Sequence, residues 1–150
     1  MNVRLAAPSD AGAWLELRGL LWPGSTSEHE REIAEYFTQS SSPSVCLVAE
    51  KDEGEGLLGF AEVRLRDCAE GCRTSPVGYL EGIFVAPAHR RGGLGAALAR
   101  AAEAWAREQG CTEMASDREW ENEVSGAFHE DLGYEEVDRI VCFRKSLEAA

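Results

Sequence analysis

Residues 79–110, YLEGIFVAPAHRRGGLGAALARAAEAWAREQG, place an apolar strand, a proline, two arginines, a glycine cluster and a long amphipathic helix in immediate succession. Glycine lets the backbone approach a ligand closely, and the unpaired N–H groups of a helix's first turn attract an anion with the help of the helix dipole. Arg90 and Arg91 add positive charge at the same point. The stretch therefore predicts a phosphate-binding loop between a strand and a helix.

Two common phosphate-binding motifs do not fit this loop. A dinucleotide fingerprint requires G-x-G-x-x-G, and Gly93-Leu94-Gly95 is not followed by the rest of that pattern. A P-loop requires a Lys-Ser or Lys-Thr pair after its glycines, and none follows them here. The alternative to a phosphate site is a glycine-rich strand-to-helix turn that binds no ligand.

Composition narrows the class of protein. With 150 residues, 44% of them hydrophobic, the chain suits one compact domain spanning residues 1–150. Its formal net charge of −12 and isoelectric point of about 4.7 disfavour nucleic acid or an anionic membrane as a partner and favour a cationic small molecule. An acidic surface that serves only solubility is the alternative.

The five cysteines are odd in number and include no C-x-x-C pair, which favours free thiols in a reducing cytosol. Cys68 and Cys72 flank a loop, but no histidine lies near them in sequence, so no metal site is expected. No signal peptide opens the chain, and no apolar run reaches the roughly 20 residues of a membrane span. We therefore expect a soluble, cytoplasmic protein.

Hydrophobic periodicity divides the chain into strands and helices. The expected strands cover residues 3–5, 45–50, 57–66, 79–85, 113–116, 134–137 and 140–145. The expected helices run from a cap at Ser9 or Asp10 to about residue 21, and over 27–37, 93–109 and 122–132. Residues 40–43 are expected as a loop and 52–56 as a hairpin turn. This order predicts an α/β fold of the α+β three-layer kind, with a mixed, mostly antiparallel sheet of about six to seven strands flanked by helices.

The loop resembles the pyrophosphate loop of the GNAT acetyltransferases, whose pattern is Gln or Arg, two residues, Gly, one residue, then Gly or Ala. Arg90, Gly93 and Gly95 match it. A second region resembles the later helix and closing turn of the family through Asn122, Ala127, Phe128, Leu132, Gly133 and Tyr134. The resemblance implies the GNAT fold, acetyl-CoA as co-substrate, and a cofactor site made of Ile83, Phe84, Val85, Arg90, Arg91, Gly92, Gly93, Leu94, Gly95, Ala96, Asn122 and His129.

A narrower resemblance is to the bacterial aminoglycoside 6'-N-acetyltransferases. It lies in LRGLLWPG (17–24), SPVGYLEGIFVAPAHRRGG (75–93), EMASD (113–117) and FHEDLGYEEVDR (128–139), which together span most of the chain. It implies an aminoglycoside as the cationic substrate, a homodimer, and a substrate pocket lined by Trp22, Glu81, Asp117 and Asp138.

The residue types suit this chemistry. An amine attacks a thioester only when it is neutral, whereas the amino groups of aminoglycosides are largely protonated near pH 7. The site must therefore bind a polycation and accept a proton from the reacting amine. Carboxylates do both, and the catalytic candidates are Asp117, which is favoured, and Glu81, with a water relay open to either. Trp22 offers cation–π contact to an amino sugar. The amides of the strand before the loop are the expected oxyanion stabilisers.

Each residue also has a purely structural interpretation. Trp22 could anchor a loop over the core, Asp117 could cap the segment before the next helix, and Asp138 could belong to a solvated acidic face. Glu81 is harder to explain in this way, because a carboxylate in an apolar strand is costly without a partner or a function. His29 and His89 are expected to be surface residues.

Two positions depart from the family pattern. His129 stands where many GNAT enzymes have a tyrosine thought to protonate the departing thiolate, so either His129 replaces it or CoA leaves without that acid. Cys68 stands near the place of a substrate-contacting tyrosine. Two other functions would use the same loop: acetylation of another amine, such as a polyamine or a protein lysine, and non-catalytic binding of CoA.

Overall fold

The computed structural model describes residues 1–38, 43–52 and 56–149. Short 3-10 turns at Pro8–Asp10 and Pro87–His89 precede the first and third helices. The regular elements in chain order are β1 (Asn2–Leu5), α1 (Ala11–Leu21), α2 (Thr26–Thr38), β2 (Ser44–Glu50), β3 (Leu57–Arg66), β4 (Val77–Val85), α3 (Leu94–Glu108), β5 (Met114–Ser116) and α4 (Glu123–Asp131).

The strands form one sheet in the order β1-β2-β3-β4-β5. The first four pair antiparallel with their neighbours, and β5 runs parallel to β4 because α3 carries the chain back across the sheet. One face packs on α1 and α2 through a core of Trp14, Leu17, Ile33, Cys46, Val48 and Phe60. The other packs on α3 through a core that includes Leu47, Ala61, Val63, Leu80, Leu98 and Ala102.

The α/β class, the element order from β1 to α4 and the antiparallel pairing of β2 and β3 are confirmed. The predicted loop and hairpin turn fall partly on residues 40–42 and 53–55, which lie outside the described residues. The cap prediction is half right, since α1 begins after Asp10. The Asp10 carboxylate does not cap α1; it accepts from the Ala7 N–H (2.7 Å) and pairs with Arg4 (2.7 Å).

The strand count of six to seven is wrong, because the sheet has five strands and the two predicted tail strands are absent from the described residues. Residues 134–149 are irregular, and several apolar side chains there are largely exposed, among them Ile140, Val141 and Phe143. Alternating apolar residues indicate which side chains seek burial, but a strand also needs a neighbour for its backbone groups. Across the described ranges, no helix combines the length and the apolar character needed to cross a membrane.

Candidate active site

The glycine loop joins the end of β4 to the start of α3. Gly93 directly precedes α3 and has a φ of 84°, which a residue without a Cβ adopts at little cost. The first backbone bond of the helix runs from the Ala97 N–H to the Gly93 oxygen (3.0 Å). The N–H groups of Leu94, Gly95 and Ala96 come before that bond and therefore point out of the helix end. They form the anion-attracting end that the sequence predicts.

Close packing and a folded-back arginine fix this loop. A Cβ on Gly95 would lie 3.1 Å from Cε2 of Phe128, so the start of α3 lies tightly against α4. Arg90 donates from Nε to the Val85 oxygen (2.7 Å), and its guanidinium lies 5.2 Å from the Phe84 ring centroid. Arg91 and Gly92 are exposed beside it. Positive charge therefore stands where the helix amides point outward.

Strands β4 and β5 separate at this end of the sheet. Their pairing runs from Gly78 opposite Met114 to Leu80 opposite Ser116, where β5 ends, while β4 continues to Val85. On the other side of β4, Glu62 pairs with Gly82 and Val63 with Leu80, so Glu81 is the extra residue of a β-bulge. A bulge bends and twists its strand. The result is a fork with Leu80 and Ser116 at its base.

The amides of β4 that face the fork follow from the strand register. Ala86 donates its N–H to the Leu58 oxygen (2.8 Å), so Ala86 and Leu58 form a hydrogen-bonded pair. Because such pairs alternate along an antiparallel ladder, the Phe84 amide faces β3, while the amides of Ile83 and Val85 face the open edge. Of the three predicted cofactor amides in the strand, two are therefore placed to meet a ligand in the fork.

The two candidate catalytic carboxylates belong to one chain of contacts. Arg66 donates from Nε and Nη2 to the two oxygens of Glu81 (2.9 and 2.8 Å), and its guanidinium carbon lies 3.5 Å from the Tyr79 ring centroid. Tyr79 in turn donates its hydroxyl to Oδ2 of Asp117 (2.6 Å). Glu81 thus has a partner in Arg66, and the strand carboxylate is compensated.

The protonation of two members of this chain follows from their surroundings. Burial, followed by the hydrogen bond to Asp117, raises the pKa of the Tyr79 hydroxyl. The hydrogen bonds to Glu81 raise the pKa of the Arg66 guanidinium. Both groups therefore keep their protons over the working range of an enzyme, so Tyr79 and Arg66 act as permanent donors to the two carboxylates.

Trp22 ends α1 and lies over β4. Its ring makes an edge contact with Phe60, with centroids 6.4 Å apart, and the guanidinium of Arg18 lies 5.1 Å from its centroid. His29, predicted to be a surface residue, is half-buried and hydrogen-bonded on both ring nitrogens. Its Nδ1 accepts from the Arg18 guanidinium (2.8 Å) and its Nε2 donates to the Trp22 carbonyl (2.8 Å). Because arginine can only donate, the His29 ring carries its proton on Nε2. The two bonds connect α2 to Arg18 and Trp22 at the end of α1.

The predicted substrate residues divide between two cavities. Trp22 and Glu81 line one of about 370 Å³ against α1 and α2, which also contains Glu32, Glu35 and Glu62. Asp117 and Asp138 line one of about 670 Å³ between β5, α4 and the tail. The contacts through Arg66 and Tyr79 join them. Asp138 itself is exposed and accepts from the Arg139 N–H (2.7 Å).

His129 lies at the base of the fork. Its Nδ1 is 2.6 Å from the Ser125 carbonyl oxygen, which can only accept, so Nδ1 carries a proton. Nε2 lies 2.8 Å from Oγ of Ser116, the last residue of β5 paired with β4. His129 is therefore held in one orientation with Nε2 toward the fork. The predicted cofactor residue Asn122 caps α4, its side chain accepting from the Ser125 N–H (3.0 Å).

Sequence reasoning missed Arg66, Tyr79 and Ser116. The hairpin pattern offered a signal for one of them, since Arg66 ends β3 next to the strand that carries Tyr79 and Glu81. No pattern in the sequence predicts the bulge at Glu81, which brings its carboxylate to Arg66. Across residues 1–38, 43–52 and 56–149, no group of three or more His, Cys, Asp or Glu side chains is placed to hold a metal ion. All five cysteines are free thiols.

Comparison with known proteins identifies the family. The profile of the Acetyltransferase (GNAT) family matches residues 14–134. The aminoglycoside N(6')-acetyltransferase type 1 of Klebsiella aerogenes is 45% identical over 147 residues, covering 97% of this chain and 96% of that protein.

Two solved structures share the whole fold. The apo aminoglycoside 6'-N-acetyltransferase of Acinetobacter haemolyticus superposes with a TM-score of 0.90 and 38% identity, covering 99% of this chain and 100% of that one. AAC(6')-Iy in complex with the bisubstrate analog CoA-S-monomethyl-acetylneamine gives 0.89 and 35% identity, covering 97% of each chain.

Proposed function

The chain belongs to the GNAT family of acetyltransferases, and from this premise we propose that it transfers the acetyl group of acetyl-CoA to the 6'-amino group of an aminoglycoside. One observation carries the proposal: the glycine loop, the fork between β4 and β5, and the carboxylate of Asp117 follow one another along a single edge of the sheet. The similarity over nearly the whole chain to enzymes with this activity supports it.

The cofactor end of the reaction uses the loop and the fork. The amides of Leu94, Gly95 and Ala96 bind the diphosphate of CoA, assisted by the charges of Arg90 and Arg91. Gly92 and Gly93 let the backbone approach that group. The open-edge amides of Ile83 and Val85 bind the pantetheine arm and stabilise the oxyanion that forms when the amine attacks the thioester carbonyl. The Phe84 ring, beneath Arg90, shapes the same edge.

On the side of the site that binds the aminoglycoside, the carboxylates of Asp117 and Glu81 have different roles. Asp117 keeps one oxygen for the amine, because Tyr79 uses the other, and it accepts the proton that the amine loses on attack. Glu81, with both oxygens on Arg66, lines the substrate cavity and takes no part in proton transfer. Trp22 forms an aromatic wall for an amino sugar, and Asp138 attracts another ammonium group at the rim.

His129 is placed to serve the departing thiolate. With Nδ1 committed to Ser125, its Nε2 and the neighbouring Ser116 hydroxyl face the base of the fork, where the carbon–sulfur bond breaks. We assign it a proton-donating role there, in place of a tyrosine: as an imidazolium, His129 gives its Nε2 proton to the thiolate and returns to the neutral ring that keeps Nδ1–H on Ser125. Asn122, two turns before His129 at the N-cap of α4, supports that histidine by capping the helix.

The biological setting forms part of the proposal. Acetylation removes one positive charge from the drug and so weakens its hold on a polyanionic target, giving antibiotic resistance. Residues 1–150 act as one cytoplasmic domain, without a nucleic-acid or membrane partner. The exposed apolar side chains of the tail, Val137, Ile140, Val141, Phe143 and Leu147, favour a homodimer in which tails of two copies cover each other. Light scattering of the full chain tests that assembly.

A thiol-release assay tests the function. Purified protein is mixed with acetyl-CoA and kanamycin, tobramycin, spermidine or a histone peptide, and free CoA thiol is followed with time. Release with the aminoglycosides alone supports the proposal. Release only with spermidine or the peptide would assign another amine, and no release with any amine would leave a CoA-binding module.

A further inference from the structure

The contacts between Glu81, Arg66, Tyr79 and Asp117 run without a gap across the acceptor side of the site. Every link is a direct contact of 3.5 Å or less. Resting on the proposed function, we propose that Tyr79 and Arg66 are positioning residues that give the two carboxylates different tasks. Tyr79 aims Asp117 at the amine, and Arg66 keeps Glu81 from capturing it.

Tyr79 holds the Asp117 carboxylate in place, because Tyr79 is buried in the sheet and Asp117 lies on an exposed segment. The Tyr79 side chain is only 4% exposed, and its strand is paired on both sides, with Arg64 on β3 and Ala115 on β5. Asp117 belongs to the exposed segment just after β5. A short hydrogen bond from a buried, permanently protonated hydroxyl holds one rotamer of that side chain. In the described part of the chain, Oδ1 of Asp117 has no partner, so it is the oxygen presented to the substrate.

Arg66 neutralises Glu81 and braces Tyr79 at once. Its planar fork uses both carboxylate oxygens of Glu81, and its flat face covers the tyrosine ring. Without it, Glu81 would be an uncompensated anion on the strand that runs along the fork. A polycationic substrate would then bind Glu81 through an ammonium group and sit away from Asp117. Arg66 therefore weakens the attraction of Glu81 for the substrate, and the reacting amine stays near Asp117.

The first test is a double-mutant cycle in the purified full chain. Tyr79→Phe removes the hydroxyl and keeps the ring, so we expect kcat with kanamycin to fall about tenfold while the Kd for acetyl-CoA stays the same. In an Asp117→Asn background the same change should have no further effect, because the hydroxyl acts through that carboxylate. Tyr36→Phe, which removes a half-buried hydroxyl that accepts from the Cys46 N–H (3.1 Å), is the control and should leave kcat unchanged.

The second test separates positioning from general structural support. Arg66→Gln should lower the KM for kanamycin a few-fold and lower kcat about tenfold, since the freed Glu81 binds the ammonium in the wrong place. Arg66→Lys keeps the charge but not the fork or the flat stack, so it should restore KM without restoring kcat. Arg4→Gln breaks a comparable arginine cluster with Asp10 and Glu50 and should change neither constant.

The outcomes distinguish this inference from the function on which it rests. If the wild-type protein releases thiol with kanamycin but Tyr79→Phe keeps full kcat, or its effect adds in full to that of Asp117→Asn, the positioning role of Tyr79 is wrong. A raised KM in Arg66→Gln overturns the role of Arg66. If the wild-type protein releases no thiol with any aminoglycoside, it is the proposed function that fails.

Discussion

Gly82 lies directly beneath the indole of Trp22: a Cβ built on this glycine would overlap the six-membered ring of that side chain. The tryptophan rests on the backbone of β4 at the residue after the Glu81 bulge, within the strand that lines the fork. The absence of a side chain at this position lets the Trp22 ring lie directly against β4. Trp22 therefore both covers the core beside Phe60 and faces the cavity that contains Glu81.

Gly82→Ala should push Trp22 off the strand. We expect the KM for kanamycin to rise about three- to fivefold, in line with the loss of roughly 1 kcal/mol of aromatic contact to a cation. The free energy of unfolding should fall by about 1–3 kcal/mol because the site is overpacked. Gly19→Ala is the control, since nothing lies within 4 Å of a Cβ there. An unchanged KM for kanamycin in Gly82→Ala would mean that Trp22 does not contact the substrate.

Asp117→Asn should lower kcat by about 10²–10⁴-fold, the usual range for a lost proton-accepting group. The amide still accepts from Tyr79 but takes no proton from the amine. Steady-state kinetics with kanamycin measure the change, and calorimetry should give the wild-type affinity for acetyl-CoA. Asp131→Asn, at the exposed end of α4, should behave as wild type. Near-normal turnover in Asp117→Asn would assign the proton to another group.

Gly93→Ala should weaken acetyl-CoA binding. A residue with a Cβ costs roughly 1–2 kcal/mol at this φ of 84°, so the loop should shift and the Kd should rise about tenfold. Gly110→Ala is a matched control: its φ is 91°, a Cβ there meets nothing within 4 Å, and it lies at the far end of α3. Urea denaturation should show a similar stability loss in both variants, and calorimetric titration with acetyl-CoA should show weaker binding only in Gly93→Ala. Equal affinities of the two variants for acetyl-CoA would mean that the loop does not bind the diphosphate.

The ion pair of Asp10 and Arg4 should make stability depend on pH. The hydrogen bond from Arg4 holds the pKa of the buried Asp10 carboxyl below its usual value. A carboxyl whose pKa is lowered by folding stabilises the folded state above its unfolded pKa, near 4, and that contribution is lost as the pH falls through the folded pKa. Asp10→Asn should therefore cost about 2 kcal/mol at pH 7, a figure reduced for the partial exposure of Arg4.

Urea denaturation between pH 7 and pH 2.5 measures this dependence. The difference between wild type and Asp10→Asn should be constant from pH 7 to about pH 5 and shrink below about pH 4. Asp67→Asn, an exposed carboxylate, is the control and should show no such trend. A difference that persists unchanged to pH 2.5 would mean that Asp10 contributes through shape rather than charge.

Much of the fold follows from local patterns. The apolar strand, the glycines and the helix over residues 79–110 place the loop correctly, because strand and helix periods and glycine's positive φ are properties of neighbouring residues. The tail is different. Its alternating apolar residues predict strands, but a strand depends on a partner whose position the local sequence does not contain, and the described tail has none.

The candidate site shows the same limit at the level of side chains. Glu81 stands out in the sequence because a carboxylate in an apolar strand needs a partner. The partner is Arg66, fifteen residues earlier on another strand, and the bulge that brings them together has no local pattern. His29 could not be predicted as bonded, since its contacts depend on how α2 folds back on the end of α1.

Acetyl transfer from acetyl-CoA to the 6'-amine can be tested with a matched pair of substrates. Neomycin carries an amino group at the 6' position where paromomycin carries a hydroxyl. With acetyl-CoA and the wild-type protein, we expect steady release of CoA thiol with neomycin, one acetyl group added by mass spectrometry, and no release with paromomycin. Equal release with both compounds, or none with neomycin, would contradict the account.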